Sequence, residues 1–311
     1  MNRPGMKTCS MSSSMAYRSM FGPPWNGGLD RTLASAHLGA MTTPSSTDQL
    51  FSLLVEPSWR DALRAEFDQP YMAEIANALE AAELSAESGD ARVAPCRSDI
   101  FRALNLVSVD KVSAVIVGQD PYPNPGDADG LAFSVRRDAK LPSALSKILA
   151  EARRDLGWNG RKSGNLKPWA KSGVLLLNAA LTNLVGYTWA HGDLDWPRFT
   201  RAVLGVMARR ERKTVILLWG GKAGEFKSVF DGTDHKVLLS DHPCASRKLV
   251  EGSTDVPFNG SKPFSAANAF LRDERLPEID WSLPPAGPRP ARGRRDASSG
   301  QRASTRRRRS S

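Results

Sequence analysis

Four short apolar runs constrain this chain more than any other feature. "SAVIVG" (113–118), "GVLLLNAAL" (173–181), "TVILLWG" (214–220) and "KVLLSD" (236–241) are rich in β-branched and aliphatic residues and show almost no alternation with polar ones. A strand wetted on one face would alternate, so unbroken apolar runs of this length call for cover on both faces. Stretches with helical spacing separate or precede them, among them "SWRDALRAEF", "YMAEIANALEAAE", "PSALSKILAEARRDLG" and "WPRFTRAVLGVMARRER". Strands alternating with helices indicate one α/β domain built on a parallel sheet with helices on both sides.

The flanks are of another character. Residues 1–46 are rich in Ser, Met, Gly and Pro without sustained periodicity and read as a disordered extension. Few acids and several serines fit a transit peptide, and a start at Met41 fits equally well. Residues 284–311 are low-complexity Pro, Gly, Ser and Arg and read as a disordered tail. The domain therefore spans 47–283. The chain's net charge of +10 lives in these flanks: nine arginines face Asp296 alone in the tail, so the body is near neutral. The tail suits contact with nucleic acid and suits a solvated appendage. Cys9, Cys96 and Cys244 stand apart without a CxxC pair, which argues against a zinc site or a disulfide framework. No run reaches transmembrane length.

Each apolar run ends in polar residues. The first leads into Gln119 and Asp120, the second holds Asn178 and leads to Thr182, the third leads into Gly220–Gly221–Lys222, and the fourth into Asp241 and His242. Ligands of open α/β sheets bind beyond the carboxyl ends of the strands. Asp120, Asn178 and His242 should therefore converge in one crevice, supplying a carboxylate, a carboxamide and an imidazole. The loop after Asp120, "PYPNPGDADG", is stiffened by Pro121, Pro123 and Pro125 and turned by Gly126 and Gly130. An ordinary surface loop could share that composition. A rigid loop carrying a carboxylate off a buried strand is better read as a preorganised site.

These residues resemble a known family, the uracil-DNA glycosylases of the family 1 type. "GQDPYPNPGDADGLAFSV" is similar to its water-activating and uracil-binding loop, "GVLLLNAALT" to its asparagine-bearing strand, and "LLSDHPCAS" to its His-Pro-Ser motif. Weaker similarity covers roughly Val55 to Trp281. The resemblance implies a three-layer α/β/α sandwich around a central parallel four-stranded sheet, acting as a monomer with no cofactor and no metal. It implies hydrolysis of the bond between deoxyuridine C1′ and N1, releasing uracil and leaving an abasic site that starts base-excision repair. Asp120 matches the aspartate that positions water and stabilises the cationic sugar, and His242 the neutral histidine that donates to uracil O2. Asn178 matches the uracil selector, Phe133 the stacking aromatic, Tyr122 the side chain that excludes thymine's methyl, and Gln119 a contact near uracil O2. Pro142 and Ser143, Gly220 and Gly221, and Cys244, Ser246 and Arg247 match the loops that grip DNA.

Three departures stand out. Pro123 replaces the family's histidine after Pro-Tyr, Cys244 replaces a serine, and Ser246 replaces the wedge leucine, with Arg247 or Leu249 as substitutes. The partners implied are uracil-containing DNA, single- and double-stranded, and a proteinaceous glycosylase inhibitor, with no membrane. The location implied is the cytoplasm of a bacterium, or the nucleus or mitochondrion of a eukaryote. Two rivals are a catalytically silent DNA-binding module on the same fold and a glycosylase for other pyrimidines. Asp120, Asn178, Phe133 and His242 together argue against the first, Tyr122 and Asn178 against the second.

Overall fold

The computed structural model describes residues 44–87, 92–136, 139–159, 162–245 and 256–285, all in the unit that begins at Pro44. Expectations that fall on 1–43 and 286–311, and on Ser246, Arg247 and Leu249, lie outside the described residues. Ser46, assigned above to the N-terminal extension, is the first residue of helix α1 (Ser46–Ser52), capped by reciprocal Ser45 and Asp48 hydrogen bonds. Helices α2 (Pro57–Phe67) and α3 (Pro70–Glu87) follow, with Glu56 accepting from the Trp59 N–H at the start of α2. A two-residue strand β1 (Val93–Ala94) and the short helix α4 (Arg102–Asn105) lead to the first sheet strand.

That strand is β2 (Ala114–Gly118). Helices α5 (Ser143–Leu156) and α6 (Lys167–Lys171) connect it to β3 (Val174–Asn178). Strand β4 (Asn183–Leu184) pairs antiparallel with β1, and α7 (Trp196–Ala208) returns the chain to β5 (Val215–Trp219). The one-turn helix α8 (Gly221–Gly224), strand β6 (Lys236–Ser240) and helix α9 (Pro263–Asp273) complete the domain. The central sheet has the order β3-β2-β5-β6, and every pairing in it is parallel. Helices flank this sheet in the α/β/α arrangement expected. Chain order reverses at β2, whose successors lie on opposite sides of it, so β2 and β5 bound a topological switch point.

Burial follows the apolar pattern. Every residue of β2, β3 and β5 is buried, as unbroken apolar runs require. β6 differs from that expectation: β3 and β6 are both edge strands, but only β6 is left partly uncovered, with Leu239 42% exposed and its end tied down by the Asp241 N–H donating to the Val256 carbonyl. One aromatic cluster joins Phe51, Phe67, Phe101, Phe199 and Trp196. A second joins Trp169, Trp281 and Phe264 and runs through Trp219 to Phe133. At the C-terminal end the Ser163 N–H donates to the Pro284 carbonyl and Lys162 bridges Pro285, so packed chain continues two residues past the expected boundary at 283. No described helix is long and apolar enough to cross a membrane.

The contrast between centre and edge is measurable. Leu217→Ala in β5 removes a fully buried side chain and should cost about 2–5 kcal/mol. Leu239→Ala on the edge strand should cost less than about 1 kcal/mol, because much of that side chain is already wet. Urea unfolding monitored by circular dichroism, with unchanged slope, checks both.

Candidate active site

The carboxyl ends of the strands deliver the side chains that the sequence singles out. Asn178 is the last residue of β3 and pairs with Gly118, the last of β2. A Cβ at position 118 would come within 2.5 Å of Asn178 Oδ1 and 3.4 Å of the Phe133 ring. Glycine there is what lets the carboxamide and the aromatic ring approach the same strand end. Gly220, at the end of β5 with φ +98°, serves the same purpose on the other side, since a Cβ would lie 2.7 Å from that of His242. Asp120, Pro121, Tyr122, Ala128, Gly130, Leu131, Phe133, Ser134 and Asn178 line a common pocket.

Asn178 is 8% exposed, and its Oδ1 has no hydrogen-bond partner. A buried acceptor left open costs about 1–3 kcal/mol, which a donor from a ligand or a water recovers. Phe133 holds the left-handed backbone conformation, with φ 61°. That conformation is unfavourable for an aromatic residue and is held by its neighbours. The Tyr122 hydroxyl donates to the Phe133 carbonyl (3.0 Å), and the Ala132 N–H donates to Leu176 O in β3 (3.0 Å). Buried Asp129 braces the far side, accepting from Ser134 Oγ, Asn165 Nδ2 and the Leu131 N–H. Burial pushes the Tyr122 hydroxyl up from its ordinary pKa, so it stays a protonated donor.

His242 sits beyond β6, with its ring centroid 6.1 Å from that of Phe133. The Cys244 N–H donates to its Nδ1 at 3.1 Å. A backbone N–H can only donate, so Nδ1 must be the bare nitrogen and Nε2 must carry the proton. Burial, aided by the positive charge of Lys147, holds the imidazole below its usual pKa. The ring is thus a neutral imidazole with its proton on Nε2, a form that donates from that nitrogen.

Asp120 is held off the end of β2. Its Oδ2 accepts from the Trp189 N–H (2.6 Å) and from Asn183 Nδ2 (2.7 Å). Burial raises its pKa, opposed by the hydrogen bonds from the Trp189 N–H and the Gln119 side chain. Gln119 is half-buried beside it, and its carbonyl accepts from the Ala180 N–H. Neither Asn183 nor Trp189 is evident in the sequence as a site residue. The signal available was their place in the polar segment after β3, the segment in which Thr182 was noted.

Of the residues matched to DNA-gripping loops, Pro142, Ser143, Gly220, Gly221 and Cys244 are described. Pro142 precedes α5 and Ser143 opens it. Cys244 Sγ lies 3.4 Å from Ser143 Oγ, which joins the loop after β6 to the start of α5. Gly220 precedes α8, and at Gly221 a side chain would meet nothing within 4 Å. Pro123 has no side-chain donor, but its carbonyl accepts from the Gly186 N–H at 2.8 Å, tying the Pro-rich loop to the segment after β4. Among the described residues, no group of His, Cys, Asp or Glu could hold a metal ion.

Comparison with known proteins places the chain among relatives of one kind. The chain is 40% identical to the uracil-DNA glycosylase of Azotobacter vinelandii over 230 residues, covering 74% of this chain and 95% of that protein. It is 38% identical to that of Bacillus subtilis over 230 residues, covering 74% and 97%. Among solved structures, mimivirus uracil-DNA glycosylase matches with a TM-score of 0.68 at 23% identity, over 82% of this chain and 97% of that one, a likeness of fold. No protein-family model matches the chain. With relatives at this identity matched over nearly their whole length, the chain belongs to the uracil-DNA glycosylase family.

Proposed function

We propose that this protein hydrolyses the N-glycosidic bond of deoxyuridine in DNA, releasing uracil and leaving an abasic site. The observation that carries this reading is the buried, unpartnered Oδ1 of Asn178, facing a pocket walled by Phe133 and Tyr122 beside a half-buried carboxylate. Uracil offers an N3–H donor beside its O4 acceptor. A carboxamide fixed with its oxygen open matches that pair, whereas cytosine presents a bare N3 beside an amino donor. Tyr122, immobilised through its hydroxyl, occupies the wall where a thymine methyl would need room.

A base stacked in a duplex cannot enter such a pocket, so the nucleotide must swing out first. Once it is seated, the C1′–N1 bond breaks and its electron pair leaves with uracil. His242 Nε2–H meets the charge that develops on O2. Asp120 faces the positive sugar and orients the water whose oxygen bonds to C1′, taking up the water's proton. The uncapped start of α5 at Ser143 suits phosphate contact without base preference. A mimivirus UNG variant has been solved in complex with UGI. An inhibitor protein of that kind would act here by covering the same DNA-binding face of a monomer.

Three outcomes are expected. Asp120→Asn should cut single-turnover uracil release by about 10²–10⁴-fold while leaving affinity for uracil-containing DNA largely intact. Wild-type protein that releases no uracil from single- or double-stranded oligonucleotides would overturn the function itself. Asn178→Asp should release cytosine that the wild type leaves in place, because a protonated carboxyl can present the opposite pairing pattern; paired assays on uracil and cytosine oligonucleotides check this. Lys147→Gln should raise the pKa of His242, since a removed positive charge makes the imidazolium easier to form. NMR titration of the ring reads that shift. The acid limb of activity then moves to higher pH insofar as it reflects His242.

A further inference from the structure

We propose that Asn183 is a positioning residue for the reaction, its side-chain amide dedicating one oxygen of Asp120 to structure so that the other works on the sugar and water. This rests on the glycosidic function proposed above. The orientation of the amide follows from its surroundings. Asn183 Oδ1 accepts from two backbone N–H groups, those of Ala190 (2.9 Å) and Leu184 (3.0 Å). Its Nδ2 faces three acceptors: Asp120 Oδ2 (2.7 Å), Tyr187 O (2.7 Å) and Pro121 O (3.4 Å). Rotating the amide by half a turn would set oxygen against oxygen and nitrogen against N–H, so only one arrangement is consistent. The side chain is fully buried.

The backbone beneath it is fixed as well. Asn183 pairs with Ala94 in the β1–β4 ribbon, the Val185 N–H donates to Arg92 O, and the Gly186 N–H donates to Pro123 O. The segment then turns back at Trp189, whose φ is 61°, and delivers its N–H to the same Asp120 oxygen. A Cβ at Gly192 would overlap the Trp189 indole, and Lys222 Nζ lies 5.1 Å from the centre of that ring. The segment 183–192 thus forms a clasp with two donors converging on Oδ2. These two donors fill the lone pairs of Oδ2, and the Gln119 side chain gives the carboxylate a further donor. Donors to a carboxylate favour its charged form, offsetting the desolvation that burial imposes. The Gln119 side chain shares that support, and burial keeps Tyr122 and His242, also at the crevice, in their neutral forms.

The test uses the full chain with Asn183→Asp and Asn183→Leu. Asn183→Asp keeps the acceptor for Ala190 and Leu184 but turns a donor towards Asp120 into a like charge. Asn183→Leu keeps bulk and removes both functions. Thermal unfolding confirms that a variant is folded. Expected are a fall in kcat of about 10- to 100-fold with KM for a uracil oligonucleotide little changed, as for loss of a bond to a charged group. The pKa of the Asp120 carboxyl, read by carbon-detected NMR titration, should rise in both variants, more in Asn183→Asp. A folded variant with wild-type kcat and an unmoved Asp120 titration would overturn the assignment. Parallel loss of turnover and DNA affinity with that titration unmoved would also overturn it, reducing Asn183 to a brace of the loop. If the wild type released no uracil, the function would fall, while the titration would still decide whether Asn183 supports the Asp120 charge.

Discussion

Parallel pairing of β2 with both β3 and β5 is the constraint on which the rest of the molecule depends. It sets Gly118 against Asn178 and Val117 against Leu218, so three buried strands end at one level. A ladder of this kind has no freedom to slip, because a one-residue shift would drive polar strand-end residues into the apolar layers. The crevice is therefore a consequence of the core. Residues far apart in sequence meet there because their strands end together, with glycine at 118 and 220 removing the side chains that would keep them apart.

On that platform the pocket holds a strained backbone and an open buried acceptor. Phe133 holds a left-handed backbone, Asn178 keeps an open buried oxygen, and Asp120 carries charge in partial burial. Each is unfavourable in isolation, and neighbours hydrogen-bond to the segments that carry Phe133 and Asp120. Tyr122 holds the Phe133 carbonyl, Asp129 braces the following turn, and the clasp at Asn183 and Trp189 holds Asp120. This is the usual signature of a preorganised site, in which the fold meets the cost before substrate arrives. The aromatic continuity from Trp169 through Phe264 and Trp219 to Phe133 makes the site an extension of the core.

The departures from the family's pattern acquire different meanings. Pro123 lacks a side-chain donor, yet its carbonyl anchors the segment that brings Asn183 and Trp189 to Asp120. Cys244 in place of serine still meets Ser143 across the rim, and its N–H sets the tautomer of His242, a contact that any residue other than proline could make.

The unbroken apolar runs determined the sheet, because only a strand covered on both faces tolerates them, and the polar residues at or just beyond their ends marked Asp120 and Asn178, which line one pocket, and His242, which lies beside Phe133 of that pocket. The helices over α2, α3, α5 and α7 were legible from their spacing. The exposure of β6 was not, since an apolar run does not record whether other elements cover the strand's faces. Tertiary structure alone decided the roles of Asn183 and Trp189. Asn183 reads in sequence as an ordinary loop asparagine, and a backbone N–H at Trp189 leaves no trace in residue identity. Their convergence on one oxygen of Asp120 comes from pairing with β1, some ninety residues earlier, and short-range pattern cannot encode a contact that two distant segments make only when both are folded.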